Sequence, residues 1–132
     1  MIHRETIKAR IKSNEIINIT GKVEEVVRKS KIENGFCNIF AVGSTSGIII
    51  NEDEPMLLED FRKSLDVITD SKKIYQHTEN AFSHLRSIYI GNDRTVPIEN
   101  GKLLLGTWQE IMVVNFDTAD REREVVVTVM GE

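Results

Sequence analysis

Alternating apolar and polar residues predict a strand near the start of the chain. Ile7, Ala9 and Ile11 alternate with basic side chains, which is the period of a strand with one buried face. Later segments predict strands because they are rich in β-branched and aromatic residues. These segments are residues 36–42, 47–51, 95–98, 102–105, 108–116 and 123–130. The sequence Glu99-Asn100-Gly101 indicates a hairpin between two of them, since Asn-Gly tolerates positive φ.

Three other segments show the apolar spacing of amphipathic helices. The first covers residues 21–30 and follows Thr20, a residue type that caps helix starts. The second begins at Pro55, which suits the first position of a helix, and ends near residue 69 or 70. The third covers residues 80–90 and stops at Gly91.

Strands outnumber helices in this pattern, and after residue 94 they follow one another without an intervening helix. Consecutive strands are typical of antiparallel sheets, whereas a doubly wound α/β fold requires helices that alternate with strands. We therefore predict a β-rich α+β fold of antiparallel sheets with about three helices. The length of 132 residues suits one domain, and no linker or repeat divides it. A single domain over residues 1–132 is the prediction.

Composition and charge narrow the functional classes. The net charge is −4 and basic residues are scattered, which argues against nucleic acid as a partner. The longest uncharged run, residues 34–51, holds too many polar and turn-forming residues for a membrane span, so no membrane partner is expected. A single cysteine, Cys37, excludes an intrachain disulfide. The charged first residues are unlike a signal peptide, and we expect a cytoplasmic protein.

His77 and His84 are the first candidates for chemistry. On the third predicted helix Asn80 and His84 share a face, and His77 approaches them from the preceding loop. Two imidazoles can bind a divalent metal or transfer protons near neutral pH. The spacing matches no self-sufficient metal motif, so two ordinary surface histidines remain the alternative interpretation.

Other residues have both a functional and a structural interpretation. The loop of residues 43–47, Gly-Ser-Thr-Ser-Gly, can approach an anion through its backbone amides, or it can form a tight turn. Glu52 ends a predicted strand and is a candidate ligand or base. Cys37 and Trp108 lie in strand-like segments, where a buried thiol and a core tryptophan are the default interpretation.

Several motifs occur together in an order that resembles one known family. The most distinctive are the Asn-x-x-x-His spacing of Asn80 and His84 and the stretch Leu105-Gly106-Thr107-Trp108-Gln109. The others are Asn34-Gly35-Phe36-Cys37-Asn38-Ile39-Phe40, Gly43-Ser44-Thr45, Ile50-Asn51-Glu52, Tyr75-Gln76-His77 and Val96-Pro97-Ile98. With these motifs the chain resembles the YjbQ family, whose members are often called secondary thiamine-phosphate synthases.

The resemblance implies a compact β-rich α+β antiparallel sandwich that assembles as a homotrimer, with a polar pocket near the subunit contacts. Two departures from the family pattern stand out. Gly43 replaces a histidine that many members have, and the segment between His77 and Asn80 is short. The family's pocket maps onto Ser44, Thr45, Asn51, Glu52, His77, Asn80, His84 and Trp108.

The resemblance also implies a transferase that joins a pyrimidine diphosphate to a thiazole phosphate and releases pyrophosphate. The implied catalytic residues, which also hold a divalent metal such as Mg²⁺ or Zn²⁺, are His77, His84 and Glu52. The implied contacts to a small phosphorylated or heterocyclic substrate are Ser44, Thr45, Asn51, Asn80 and Trp108. Arg86 is the only cation near these motifs, so few groups are available for two phosphorylated substrates. The alternative is a trimeric metal- or small-ligand-binding protein without catalysis of its own.

Overall fold

Two antiparallel sheets and three helices make up the computed structural model, which describes residues 1–132. The strands are β1 (Ile2–Ile11), β2 (Ile16–Asn18), β3 (Gly35–Val42), β4 (Ser46–Asn51), β5 (Asp93–Glu99), β6 (Lys102–Leu103), β7 (Glu110–Asn115) and β8 (Arg121–Gly131). The helices are α1 (Thr20–Ser30), α2 (Pro55–Ile68) and α3 (Ala81–Ile90). The larger sheet has the order β1-β8-β3-β5-β6, and the smaller one has the order β2-β7-β4. The predicted α+β fold with three helices is confirmed.

The main core lies between the two sheets. Val125, Val127 and Val129 occupy alternate positions of β8 and are buried. They belong to one apolar cluster with Ile111 and Val113 of β7, which come from the other sheet. Helix α1 closes the same cluster with its valines, Val23, Val26 and Val27. Each such side chain contributes about 1.5–3 kcal/mol when it is removed from water.

Helix α3 lies directly on the outer face of the smaller sheet. Gly47 of β4 makes this approach possible, because a Cβ atom there would lie 3.0 Å from Ile90 Cγ2 and 3.0 Å from Phe116 Cε2. The Ser87 hydroxyl donates a 2.6 Å hydrogen bond to the Ser46 carbonyl oxygen. The close packing and the hydrogen bond fix α3, and with it His84, against the end of β4 where that strand begins.

Two predicted strands end differently in the structure. The strand predicted over residues 108–116 begins later, because β7 starts at Glu110. Trp108 lies in the preceding turn, and 71% of its surface is exposed. The default interpretation of Trp108 as a core residue is therefore wrong. Gly106 explains the turn, because its N–H donates to the Gln109 side-chain oxygen at 2.7 Å and its carbonyl accepts from the Gln109 N–H at 3.1 Å. Strand β6 is likewise shorter than residues 102–105.

Two other boundaries show how tertiary contacts override the sequence pattern. Strand β1 begins at Ile2, earlier than the alternating isoleucines, because β8 pairs with it along its whole length. His3 and Glu5 occupy its inward positions there and are bonded to each other at 2.7 Å. Thr20 was expected to cap α1, but it is the first helical residue, and its hydroxyl accepts from the Ile111 N–H at 2.8 Å. None of the three helices is both long enough and apolar enough to cross a membrane.

The close backbone approach at Gly35 predicts a large stability effect. Gly35 pairs with Gly131 across β3 and β8, and a Cβ atom at residue 35 would collide with the Met130 carbonyl oxygen. We expect Gly35→Ala to lower the free energy of unfolding by more than about 2 kcal/mol, as measured by urea denaturation. Gly21→Ala is the matched control, since nothing lies within 4 Å of its added methyl group. This control should be neutral or stabilising by up to about 1 kcal/mol, because alanine favours helix. Equal effects of the two substitutions would contradict the assigned register.

The position of Cys37 predicts an unreactive thiol. The side chain is fully buried in β3, and burial raises the pKa of the thiol to about 12. Because the thiolate is the reactive form, we expect no alkylation of the native protein by iodoacetamide at about pH 8. The same reagent should modify the single thiol in denaturant, and mass spectrometry measures both reactions. Rapid alkylation of the native protein would place Cys37 at an accessible surface instead of in the core.

Candidate functional site

The two predicted histidines lie together at an open cavity of about 500 Å³. Their ring centroids are 5.1 Å apart, and the ring planes are perpendicular. His84 is half-buried on α3, and His77 is exposed in the loop before that helix. The cavity is lined by Tyr75, Gln76, His77, Ala81, His84 and Leu85. The sequence-based expectation that His77 approaches α3 from the loop is met by this geometry.

Asn80 fixes the orientation of His77. The Asn80 side-chain amide donates from Nδ2 to Asp117 Oδ1 at 3.5 Å, and its Oδ1 lies 3.1 Å from His77 Nε2. A carboxylate only accepts hydrogen bonds, so the NH₂ group of Asn80 must face Asp117 and its oxygen must face His77. It follows that His77 Nε2 carries a proton. In the neutral imidazole, Nδ1 of His77 is then the free acceptor.

Asp117 is buried behind Asn80 and is held as a carboxylate. Its Oδ1 accepts from the Thr118 N–H at 2.7 Å, and its Oδ2 accepts from Arg121 Nε at 2.8 Å. Burial alone would raise the pKa of this carboxyl, but the hydrogen bonds from Arg121 and Thr118 and the charge of Arg121 outweigh it and lower the pKa. A carboxylate with a lowered pKa is a weak base, so Asp117 is suited to orienting its neighbours and not to accepting a proton.

A second arginine reaches this cluster from β8. Arg123 is buried, and its Nη2 donates to the Thr45 hydroxyl at 2.7 Å, to the Thr45 carbonyl oxygen at 3.0 Å and to Asn115 Oδ1 at 2.5 Å. The Thr45 hydroxyl in turn donates to Asp117 Oδ2 at 3.4 Å. The hydroxyl of Thr45 is therefore engaged inside the protein, while Ser44 beside it is exposed.

Asp117, Arg121 and Arg123 were not identified from the sequence. They are distant from the histidines along the chain, and no motif joins them to residues 77–84. One feature of the sequence could have identified Arg123. It lies at an alternate position with Val125, Val127 and Val129, on the buried face of β8. A basic residue at a buried position of a strand is uncommon and requires compensating partners.

The remaining predicted site residues lie at the opposite end of the smaller sheet. Ser46 pairs with Asn115, whereas Asn51 at the other end of β4 pairs with Glu110, close to exposed Trp108. Six residues of extended chain separate these ends by roughly 17 Å. Glu52 follows Asn51 and is half-buried at that far end, where its N–H donates to Asn51 Oδ1 at 2.8 Å. One chain therefore brings together His77, Asn80, His84 and Thr45, and it holds Asn51, Glu52 and Trp108 apart from them.

The chemistry of the donors does not provide a divalent metal site within one chain. No group of three or more histidine, cysteine, aspartate or glutamate side chains is close enough to hold a metal ion. The expected set of His77, His84 and Glu52 is not assembled, because Glu52 follows the far end of β4. Two imidazoles alone supply fewer than the three protein ligands that catalytic zinc sites use.

Arg86 does not face the cavity. It is buried between α2 and α3, where its Nε donates to the Thr69 hydroxyl at 2.9 Å and its Nη2 forms a 2.6 Å ion pair with Asp66. The same Nη2 donates to the Thr69 carbonyl oxygen at 3.1 Å. These contacts tie the end of α2 to α3, so Arg86 holds the site's helix in place and is not available to a phosphate in the cavity.

Comparison with known proteins gives the same family throughout the chain. A family model described as UPF0047 protein YjbQ-like matches residues 5–132. A UPF0047 protein of Methanothermobacter thermautotrophicus is 41% identical over 121 residues, which cover 89% of this chain and 84% of that protein. UPF0047 protein YugU of Bacillus subtilis is 34% identical over 123 residues, which cover 91% of this chain and 92% of that protein.

Solved structures agree with this assignment. A YbjQ-like protein of unknown function from Sulfolobus solfataricus P2 superposes with a TM-score of 0.91 at 34% identity, over 100% of both chains. An uncharacterized conserved protein of the yjbq/upf0047 family from Clostridium acetobutylicum superposes with a TM-score of 0.86 at 34% identity, over 94% of this chain and 99% of that one. The chain therefore belongs to the YjbQ-like UPF0047 family.

Proposed function

We propose that the protein is a transferase that joins a pyrimidine diphosphate to a thiazole phosphate and releases pyrophosphate. The observation that supports this best is the histidine pair at the rim of a cavity of about 500 Å³, a volume in the range of small-molecule sites. Apolar Ala81 and Leu85 line the cavity with the imidazoles. This mixture of apolar and hydrogen-bonding groups suits a small heterocycle.

The proposed reaction breaks the bond between the pyrimidine's methylene carbon and its diphosphate oxygen. Pyrophosphate departs with the electron pair, and the nitrogen of the thiazole supplies the pair that forms the new carbon–nitrogen bond. Hydrogen bonds to the departing oxygen stabilise the charge that develops on it. In this proposal His84, half-buried at the cavity, donates a hydrogen bond to that oxygen. His77, oriented by Asn80, offers Nδ1 as an acceptor to a polar group of the heterocycle.

The alternative function is binding of a small ligand without catalysis. It is favoured by the engagement of Asp117 with Arg121 and by the absence of a three-residue metal-ligand cluster in one chain. Binding requires neither a poised base nor a metal to assist pyrophosphate departure. The two functions predict different effects when an imidazole is removed. A catalytic imidazole is needed mainly for turnover, whereas a binding imidazole is needed for ligand affinity.

We also infer a homotrimer in which neighbouring subunits complete the site. The outer face of the larger sheet exposes apolar side chains on adjoining strands, which is typical of a protein–protein contact surface. They are Ile2, Phe36, Phe40, Val42 and Met130. A cyclic assembly repeats one heterologous contact, so it can bring Glu52 and Trp108 of one subunit to His77 and His84 of the next.

The transferase proposal predicts a selective loss of turnover in His84→Ala. We expect kcat for thiamine monophosphate formation from the two phosphorylated precursors, with Mg²⁺ present, to fall by at least about 100-fold. Affinity for the pyrimidine substrate should change by less than about tenfold. His3→Ala is the matched control, since His3 lies on β1 and is bonded to Glu5. No turnover by the wild type, together with weakened binding in His84→Ala, would favour the binding function.

The shared site predicts complementation between two inactive variants. His84→Ala and Glu52→Gln are mixed at equal amounts, unfolded and refolded together, and assayed for turnover. In a random mixture about a quarter of the sites would combine an intact His84 with an intact Glu52 from the neighbouring subunit. Activity should therefore recover toward about a quarter of the wild-type value. Light scattering checks that the mixture is trimeric, and a trimer that remains inactive would contradict a site built from two subunits.

A further inference from the structure

We propose that Arg123 and the turn formed by Gly43, Ser44 and Thr45 are a subsite for a phosphoryl group. This inference rests on the proposed function for its substrate class, because it names the place where the phosphate of the substrate binds. The binding itself is independent of catalysis and can be measured without turnover.

Arg123 is a buried cation without a direct counter-ion. Its residue surface is 6% exposed, and no carboxylate oxygen lies within 4.0 Å of its guanidinium. Asp117 is the nearest candidate, but it forms its ion pair with Arg121 at 2.8 Å. The cluster therefore contains two guanidinium groups and one carboxylate. Because an unpaired buried charge is costly, an excess cation at this position is expected where an anion binds.

The hydrogen-bonding capacity of Arg123 is only partly used. Its three acceptors, the hydroxyl and carbonyl oxygens of Thr45 and Oδ1 of Asn115, all contact Nη2. Nε is buried and has no partner, and Nη1 has no acceptor in the chain. A guanidinium has five N–H donors, and the two on Nη1 remain for a ligand.

Gly43 leaves the approach to Nη1 open. A Cβ atom at residue 43 would lie 2.7 Å from Arg123 Nη1, and the φ of 126° at this position disfavours any other residue. The next two N–H groups along the turn, those of Ser44 and Thr45, donate to no acceptor in the chain. Successive free amides in a turn form a concave surface that favours anions.

The combination of donors favours a phosphoryl group over a carboxylate. A carboxylate presents two oxygens, but a phosphoryl group presents three, so it can accept from Nη1 and from the turn amides at the same time. The subsite is also continuous with the histidines. Polar contacts run from Thr45 to Asp117 at 3.4 Å, from Asp117 to Asn80 at 3.5 Å and from Asn80 to His77 at 3.1 Å. These contacts place the subsite at the same end of the smaller sheet as the histidines.

An NMR titration of the wild-type protein tests the proposal directly. Inorganic phosphate and, separately, pyrophosphate are added to ¹⁵N-labelled protein at constant ionic strength, with chloride as the reference salt. The Nε–H resonance of Arg123 is identified by its absence in Arg123→Lys. We expect this resonance and the backbone amides of Ser44 and Thr45 to shift together and to saturate. Shifts that never saturate, or that saturate only at His77 and His84, would refute the subsite.

Variants measure how much of the affinity comes from Arg123. Gly43→Ala, which fills the space in front of Nη1, and Arg123→Gln should each weaken phosphate binding by at least about tenfold. Arg4→Gln is the matched charge control, since Arg4 lies on the exposed face of β1 and bonds to Thr128. It should change the affinity by less than about threefold. Equal losses in Arg123→Gln and Arg4→Gln would show that only net charge matters and would overturn the proposal.

The two proposals can fail separately. If the protein binds phosphate saturably but forms no thiamine monophosphate, the subsite is supported and the proposed reaction is contradicted. Turnover with no phosphate-dependent shift at Arg123 would retain the reaction and remove the subsite. Unfolding midpoints of each variant confirm that the comparison is made on folded protein.

Discussion

The pairing of β8 with both of its neighbours is the constraint on which the rest of the structure depends. β8 is hydrogen-bonded to β1 on one side and to β3 on the other. Both edges of this interior strand are thereby hydrogen-bonded, and alternate side chains from Val125 to Val129 enter the core. The same alternation directs Arg123 inward at the beginning of the strand. A side chain that the pleat places in the interior must find its partners there, and the turn before β4 and the end of β7 supply them.

The sequence was most informative where local chemistry decides the conformation. Pro55 marks the start of α2. Asn100 and Gly101, which both have positive φ, form the hairpin between β5 and β6. The sequence was least informative where the conformation depends on contacts that the local hydrophobic pattern does not show. Trp108 lies in an apolar run that reads as a strand, yet a turn held by Gln109 exposes it. Helical spacing identified Asn80 and His84, and His77 followed from the short loop before them, whereas Asp117 and Arg123 join these residues only through the fold.

The placement of the candidate residues at two ends of β4 has a physical consequence for any catalytic function. A strand is stiff, so no local movement brings Glu52 to the histidines within one subunit. Residues that lie far apart in one subunit can still form one site in a symmetric assembly. Each subunit contact then brings one set of residues to the other set on the neighbouring subunit.

The charge states in the cluster restrict the kind of chemistry that it supports. Asp117 is held ionised by Arg121, and through Asn80 it keeps the proton of His77 on Nε2. Around Arg123 the groups that remain free are donors: its own N–H groups and those of the turn. Asp117 is already paired with Arg121, whereas the N–H donors have no acceptor. Such a site is suited to binding and stabilising negative charge. Gly43 keeps the space in front of Arg123 Nη1 free of a side chain, so a guanidinium that stays charged at physiological pH remains open to an anion.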